Sequence, residues 1–145
     1  MTTVAAILKH KGYQVSTVEP TALISEVAAV LAERRIGAVL VFDSAETMIG
    51  IVSERDIVRA LASNGGRTLD MTAGQLMTRA VQVARPDTTV AEAMQLMTAG
   101  RFRHLPVVDH NTLIGVISIG DVVKARMMQQ DAVVESLTAY VSGSA

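Results

Sequence analysis

The stretch "IGIVSERDIVRA", Ile49–Ala60, recurs sixty-five residues later as "IGVISIGDVVKA", Ile114–Ala125. Each copy runs from an isoleucine and a glycine through two apolar residues to a serine, and an aspartate follows three positions later. The apolar run predicts a strand, Ser-x-x-Asp is typical of a helix start, and the apolar pattern beyond it predicts a helix. The sequence therefore predicts the same strand–turn–helix unit twice.

The similarity between the two halves extends well beyond this phrase. With a shift of 66, Val18–Leu31 lies over Ala84–Met97, and Ile36–Asp43 lies over Phe102–Asp109. Proline, glutamate and aspartate recur in the same order within these segments. Such ordered recurrence at a fixed period indicates an internal duplication.

Each repeat is predicted to be β-α-β-β-α. A short strand ("YQVSTV" or "AVQVA") precedes a proline, and a helix, two apolar strands and a last helix follow. Thr89-x-x-Glu92 predicts a capping box for the second repeat's first helix, whereas the first repeat has Leu23 there. "SNGGR", Ser63–Arg67, is expected to be a flexible connector, and "TAGQLM" a small helix that opens the second repeat. We predict an α+β fold in which two small sheets pack face to face with helices outside.

The last helix is expected to continue far beyond its counterpart in the first repeat. We divide the 145-residue module into repeats at 9–63 and 72–126 and a C-terminal helical extension at 127–145, with Gly143 as the C-cap. A heptad-like seam follows the spacing 4, 3, 4, 3, 4 and comprises Val123, Met127, Gln130, Val134, Leu137 and Val141. This seam predicts a homodimer, and the alternative is that it packs onto its own sheet.

Composition argues against several classes of function. A net charge of −1 and 3% aromatic residues provide neither the basic surface nor the stacking side chains of a nucleic-acid binder. No apolar run approaches the roughly 20 residues that span a bilayer. The basic residues of the first twelve positions follow the apolar ones, the reverse of a signal peptide. We therefore expect a cytoplasmic protein with no nucleic-acid or membrane partner.

Motifs for catalysis and for metal binding are weak or missing in the sequence. There is no G-x-S-x-G, Walker or G-x-G-x-x-G pattern, so the chain is not expected to be an enzyme. Cysteine is absent. His104, Asp109 and His110 form a loose cluster, but we expect their side chains to diverge at a strand end and turn. No metal is predicted.

The repeated Ser-x-x-Asp turn has two interpretations. It can be a capping box, in which the serine and the carboxylate satisfy the helix N-terminus. It can also be a ligand site, because free N–H groups at a helix start attract anions and an ionised carboxylate accepts the two O–H groups of a vicinal diol. Helix start, hydroxyl and carboxylate together describe a site for a ribose phosphate.

Arg103 and His104 distinguish the second repeat from the first. Both stand just before the strand "LPVVD", where the first repeat has Gly37 and Ala38. An arginine there is commonly a solvated surface residue, but its planar fork also matches phosphate oxygens. This asymmetry between otherwise faithful repeats indicates one shared anion site.

These motifs, Gly-apolar-apolar-Ser-x-x-Asp after strands such as "HLPVVD", resemble the tandem CBS-domain pair known as the Bateman module. The resemblance covers about Lys9 to Arg126, and it implies binding of adenine-containing ligands in clefts between the repeats. It implies that Asp56 and Asp121 hold ribose diols. It implies seven further ligand contacts: Ser53 and Ser118 at ribose or phosphate, Arg103 and His104 at phosphate, Val15 and Val81 beside adenine, and Arg55 in the first Ser-x-x-Asp turn.

The resemblance favours a regulatory sensor of an adenosine nucleotide. AMP is the first candidate, with ADP, ATP and NADH as further candidates, and the sensor would act on a separate, unidentified protein. Leu40 stands where the second repeat has Pro106, and this departure leaves open whether one or both pockets bind ligand. The alternative is an interaction or dimerisation scaffold whose pockets are vestigial.

Overall fold

The computed structural model describes residues 2–143. The elements follow in the order α1 (Val4–Lys11), β1 (Thr17–Val18), α2 (Ile24–Arg34), β2 (Ala38–Phe42), β3 (Met48–Ser53), α3 (Glu54–Asn64), a 3-10 helix (Gly65–Asp70), α4 (Ala73–Leu76), α5 (Val90–Gly100), β4 (His104–Asp109), β5 (Thr112–Ser118) and α6 (Ile119–Gly143). The α+β prediction, with two small sheets and flanking helices built from a duplicated unit, is confirmed.

The chain divides into two compact units. The middle unit is Gln14–Val81, and the terminal unit joins the residues up to Tyr13 with those from Gln82 onward. The middle unit has a three-stranded sheet in the order β1-β2-β3, in which β2 pairs parallel with β1 and antiparallel with β3. The terminal unit has the antiparallel pair β4-β5. Each unit has its own apolar core.

The first helix of the chain belongs to the terminal unit. Backbone bonds tie its start to the segment before α5, from the Val4 amide to the Thr88 carbonyl (2.8 Å) and from the Val90 amide to the Thr2 carbonyl (3.0 Å). Leu8 is fully buried and packs against Gly115 of β5, where an added Cβ would lie 2.7 Å from a Leu8 methyl carbon. The second repeat's core is therefore completed by residues from the other end of the chain.

Helix α4 has the matching position in the middle unit. Its Ala73 amide donates to the Ala22 carbonyl (2.8 Å), and Met77 just beyond it lies against Gly50 of β3. Gly50 and Gly115 occupy the same place in the two copies of the repeated phrase. Hence α1 and α4 are equivalent lead-in helices, and α4, expected to open the second repeat, packs in the unit of the first.

The first strands are shorter than predicted. "YQVSTV" contributes only Thr17–Val18, and "AVQVA" contributes a single bridge in which Ala84 pairs with Val107. A proline follows each pairing segment two residues later, and proline has no N–H to continue the ladder. The predicted flexible connector is also wrong in part, because Gly65–Asp70 forms a 3-10 helix that buries Thr68.

Helix α6 continues for 25 residues, as its sequence predicted. The apolar members of its seam are exposed by 43% at Val123 to 78% at Val141, so the seam does not pack onto its own sheet. The last two residues of the predicted extension lie outside the described residues. Among residues 2–143, no helix combines the length and apolar character needed to cross a bilayer.

Candidate functional site

The Ser-x-x-Asp turn of the terminal unit joins β5 to α6. The Ser118 amide donates to Asp121 Oδ2 (2.8 Å), and the Asp121 amide donates to Ser118 Oγ (3.2 Å). These reciprocal bonds form a capping box, which satisfies amides that a helix start otherwise leaves free. Asp121 is half-buried, so its carboxylate is fixed at a helix N-terminus with part of its surface accessible.

The equivalent turn of the middle unit joins β3 to α3 and has the same geometry. Asp56 Oδ2 accepts from the Ser53 amide (2.8 Å) and the Ser53 hydroxyl (2.9 Å), and the Asp56 amide donates to Ser53 Oγ (3.3 Å). The capping interpretation of the sequence is therefore realised in both repeats. It does not exclude ligand binding, because an ionised carboxylate offers about four acceptor sites on its two oxygens and the capping bonds use only part of them.

Strand register brings the charged pair of the second repeat to the Ser118 turn. His104 begins β4 and is paired with Ser118, the last residue of β5. The Ile119 amide donates to the carbonyl of Arg103 (2.8 Å). The backbone positions of Arg103 and His104 therefore lie next to the Ser118–Asp121 turn, where β4 begins and α6 starts.

The middle unit has the same backbone without the charged side chains. Ala38 is paired with Ser53, and the Glu54 amide donates to the Gly37 carbonyl (2.9 Å). Because the backbone bonds match, the fold does not require charge at these two positions. This equivalence supports the interpretation that Arg103 and His104 serve something other than folding.

Lys11, at the end of α1, makes an ion pair with Asp121. Its Nζ lies 2.6 Å from Asp121 Oδ2 and also donates to the Val116 carbonyl (2.8 Å). Burial by itself would raise the pKa of Asp121. The hydrogen bond from Lys11, the backbone bond from Ser118 and the nearby lysine charge outweigh this effect and lower the pKa below its usual range. Asp121 is therefore held ionised.

Lys11 is a site residue that the sequence did not predict. It lies 110 positions before Asp121, and the sequence around it reads only as an apolar patch followed by basic residues. A groove of about 1290 Å³ runs between α1 and α6, and both Lys11 and Asp121 line it. Two more cationic side chains, Lys124 and Arg126, also line this groove, together with His10.

Three predicted contacts remain, and all of them are in the middle unit: Arg55, which lies within the Ser53–Asp56 turn itself, Val15 and Val81. Arg55 lies half-buried in the first turn of α3. Val15 and Val81 are half-buried residues of irregular chain in the middle unit. Their roles beside a ligand stay predictions.

The loose His/Asp cluster differs from its predicted geometry. Asp109 and His110 do not diverge, because His110 Nδ1 lies 2.8 Å from Asp109 Oδ1 on an exposed turn. His104 stands at the other end of the same strand. Within residues 2–143, no group of three or more potential ligands converges as a metal site would require.

The capping box of α5 forms as predicted, and the first repeat retains half of one. The Thr89 amide donates to Glu92 Oε1 (3.0 Å), and Thr89 lowers the pKa of Glu92 through hydrogen bonds from its amide and its hydroxyl. Leu23 has no hydroxyl to accept a bond, but its amide still donates to Glu26 Oε1 (3.2 Å). The glutamate side of the capping box therefore forms in the first repeat, although the residue at the cap position cannot accept a hydrogen bond.

Comparison with known proteins identifies the family. The CBS domain family matches the sequence twice, at residues 4–63 and 73–128, and the chain belongs to this family. Each match begins at a lead-in helix and ends within the helix that follows its Ser-x-x-Asp turn. The resemblance that the repeated motifs indicated is confirmed.

Solved structures of the family share this fold. The crystal structure of a CBS-domain containing protein from Agrobacterium tumefaciens is 44% identical, covers 86% of this chain and 93% of that chain, and has a TM-score of 0.84. A CBS domain protein from Pyrobaculum aerophilum, complexed with AMP, is 30% identical, with 82% and 88% covered and a TM-score of 0.72. The CBS domain pair of protein MJ0100, in complex with 5'-methylthioadenosine and S-adenosyl-L-methionine, is 26% identical, with 89% and 98% covered and a TM-score of 0.78.

Proposed function

We propose that this chain is a non-catalytic regulatory module that binds an adenosine nucleotide and acts in trans on a separate protein. The observation that carries the proposal is that the backbone of Arg103 and His104 lies beside the Ser118–Asp121 capping box at one helix start. The regulated protein is unidentified, and the cytoplasmic location stays a prediction.

The four residues match the parts of a ribose phosphate. The carboxylate of Asp121 accepts hydroxyl donors, and Ser118 offers a hydroxyl at the same turn. The helix N-terminus and the guanidinium of Arg103 both favour an anion, and a protonated imidazole at His104 would add to them. A ligand with a diol at one end and a phosphate at the other uses all of these groups together.

The relatives support adenosine as the nucleoside. One solved relative is complexed with AMP, and another with two adenosine compounds that carry no phosphate. Arg103 in this chain favours a phosphate-bearing compound, because its guanidinium stays charged and matches phosphate oxygens. AMP is thus the first candidate, and ADP, ATP and NADH share its ribose and its phosphate.

Arg103→Ala tests this function through the phosphate. We expect AMP affinity to fall by roughly ten-fold or more, since a charge-assisted bond to phosphate is lost, while adenosine affinity changes little. Calorimetric titration of both ligands into both proteins measures the difference. Arg67→Ala, at an exposed arginine of the 3-10 helix, is the matched control and should bind both ligands like the wild type. Equal losses of AMP and adenosine in Arg103→Ala would mean that Arg103 supports folding and not phosphate binding.

The exposed seam of α6 favours a second candidate function, a dimerisation scaffold. A long helix with an unburied apolar stripe is poorly stabilised by itself, because most helical stability in proteins comes from packing an apolar face. Gln130 lies in the middle of the seam, as polar residues do where a coiled coil fixes its register. We propose that two copies pair along this seam, whether or not a nucleotide is bound.

Truncation after Met127 tests the dimer. We expect the intact chain to be a homodimer in light scattering, and the truncated chain to be a monomer at low micromolar concentration. Leu137→Asp should have the same effect within the full chain, because it buries a charge in the seam, whereas Ser136→Asp on the neighbouring face should not. A monomeric intact protein would contradict the dimer. If the truncated chain stays dimeric, the dimer interface lies on other helices.

A further inference from the structure

The ion pair of Lys11 with Asp121 occupies the carboxylate that the proposed function assigns to ribose. Lys11 Nζ and the Ser118 amide both bind Asp121 Oδ2, at 2.6 Å and 2.8 Å. A vicinal diol donates two hydrogen bonds, and it needs both carboxylate oxygens for a paired contact. In this arrangement one of the two oxygens already holds a cation.

In the middle unit, the strand position equivalent to Val116 makes a different contact. Ile51, the counterpart of Val116, exchanges two backbone bonds with Thr78, at 3.1 Å and 2.9 Å. In the terminal unit the Val116 carbonyl instead accepts from Lys11 Nζ. A lysine side chain therefore replaces a backbone bridge in one of two otherwise equivalent units.

The lengths of the lead-in helices explain this difference. Leu8 and Met77 make equivalent contacts with Gly115 and Gly50, so Lys11, three residues beyond Leu8, corresponds to Ala80. Helix α4 ends at Leu76 and the chain then extends into its bridge, whereas α1 stays helical to Lys11. Only the terminal unit therefore has an ammonium group within reach of its Ser-x-x-Asp turn from the lead-in helix.

We propose that Lys11 is a built-in competitor that holds Asp121 in the ligand-free protein and is displaced by the ribose of the bound nucleotide. This inference rests on the proposed function. The Lys11 and Asp121 side chains are 38% and 24% exposed, so the pair is accessible to exchange and not locked in the core. Displacement exchanges one charged partner of Asp121 for two hydroxyl donors.

Displacement of Lys11 also removes one of the contacts that hold the end of α1. The start of α1 is fixed by backbone bonds to residues 86–90, and its last turn is held to β5 by the buried Leu8 and to β5 and α6 by Lys11. Gly12 follows with φ 108°, and the chain then enters the middle unit. Release of Lys11 removes the polar anchor of this turn and leaves Leu8 in place, so we expect residues 9–12, beyond Leu8, to loosen.

Lys11→Met tests the competition directly. Adenosine is the probe because it carries the ribose diol and no phosphate. Removal of the lysine charge therefore cannot change the affinity through attraction to a phosphate. The calorimetric titrations use the full chain carrying Asp56→Ala, so that Asp121 is the remaining ribose carboxylate. They are then repeated with the full chain in which Asp56 is present. We expect Lys11→Met to bind adenosine about three- to ten-fold more tightly. Lys11→Arg should restore competition, and Lys9→Met, with the same charge change on an exposed residue of α1, should bind like the parent protein.

Amide hydrogen exchange supplies a second readout. Adenosine should speed exchange at residues 9–12 of the parent protein, and Lys11→Met should show fast exchange there without ligand. If the parent and Lys11→Met bind adenosine equally and residues 9–12 do not respond, the competition is overturned while the proposed function stands. If neither binds adenosine or AMP, the proposed function fails and the competition fails with it. Binding by Lys11→Met alone would support the competition most strongly.

Discussion

Asp121→Ala is expected to weaken AMP binding at its site by about 2–4 kcal/mol, because two charge-assisted bonds to the ribose diol are lost. This corresponds to roughly a thirty- to thousand-fold loss of affinity. The fold should survive, since the substitution removes one helix cap and one half-exposed ion pair, which together contribute only about 1–2 kcal/mol. Calorimetry with AMP and a urea titration separate the two effects. Asp56→Ala should weaken AMP binding at the Ser53–Asp56 turn.

Glu92→Ala is the matched control for Asp121→Ala. Glu92 closes the capping box of α5 as Asp121 closes that of α6, and it is distant in sequence from the repeated turns. It should therefore cost a similar amount of helix capping and leave AMP affinity unchanged. If Asp56→Ala and Asp121→Ala both bind AMP like the wild type, the assignment of the two carboxylates to ribose is wrong.

Leu8→Ala is expected to produce the largest loss of stability, about 2–5 kcal/mol, because truncation of a fully buried leucine leaves a cavity. Leu8 is 0% exposed in the core of the terminal unit and packs against Gly115. Leu61→Ala, at a leucine of α3 that is 39% exposed, should cost clearly less. Urea unfolding of the two variants gives the comparison. A loss below about 1 kcal/mol for Leu8→Ala would show that α1 does not complete the second repeat's core.

The repeated phrase made most of the fold predictable from sequence. Its Ser-x-x-Asp turns start α3 and α6 where the spacing indicated, and Thr89-x-x-Glu92 starts α5. The alternation in "YQVSTV" and "AVQVA" overstated the first strands, since a following proline limits pairing to one or two residues. Local patterns indicate a tendency to form a strand, but they do not measure how far a partner strand extends.

The candidate site was partly predictable for a related reason. Two strands joined by a short turn must lie side by side, so the placement of Arg103 and His104 beside Ser118 follows from the hairpin. The place of Lys11 does not follow, because its partner Asp121 lies 110 residues away and the contact depends on which unit receives α1. No local pattern around Lys11 carries that information.

Thermal melting with a panel of ligands tests the central claim, that this CBS-domain chain binds an adenosine nucleotide. AMP, ADP, ATP, NADH and S-adenosylmethionine are each added at millimolar concentration to the full chain. A ligand that binds only the folded state stabilises it, by about 2.7 kcal/mol when its concentration is a hundred times Kd. We expect AMP to raise the Tm, and we expect the shift to be lost when Asp56→Ala and Asp121→Ala are combined. An unchanged Tm with all five compounds would contradict the claim and leave the dimerisation scaffold as the function.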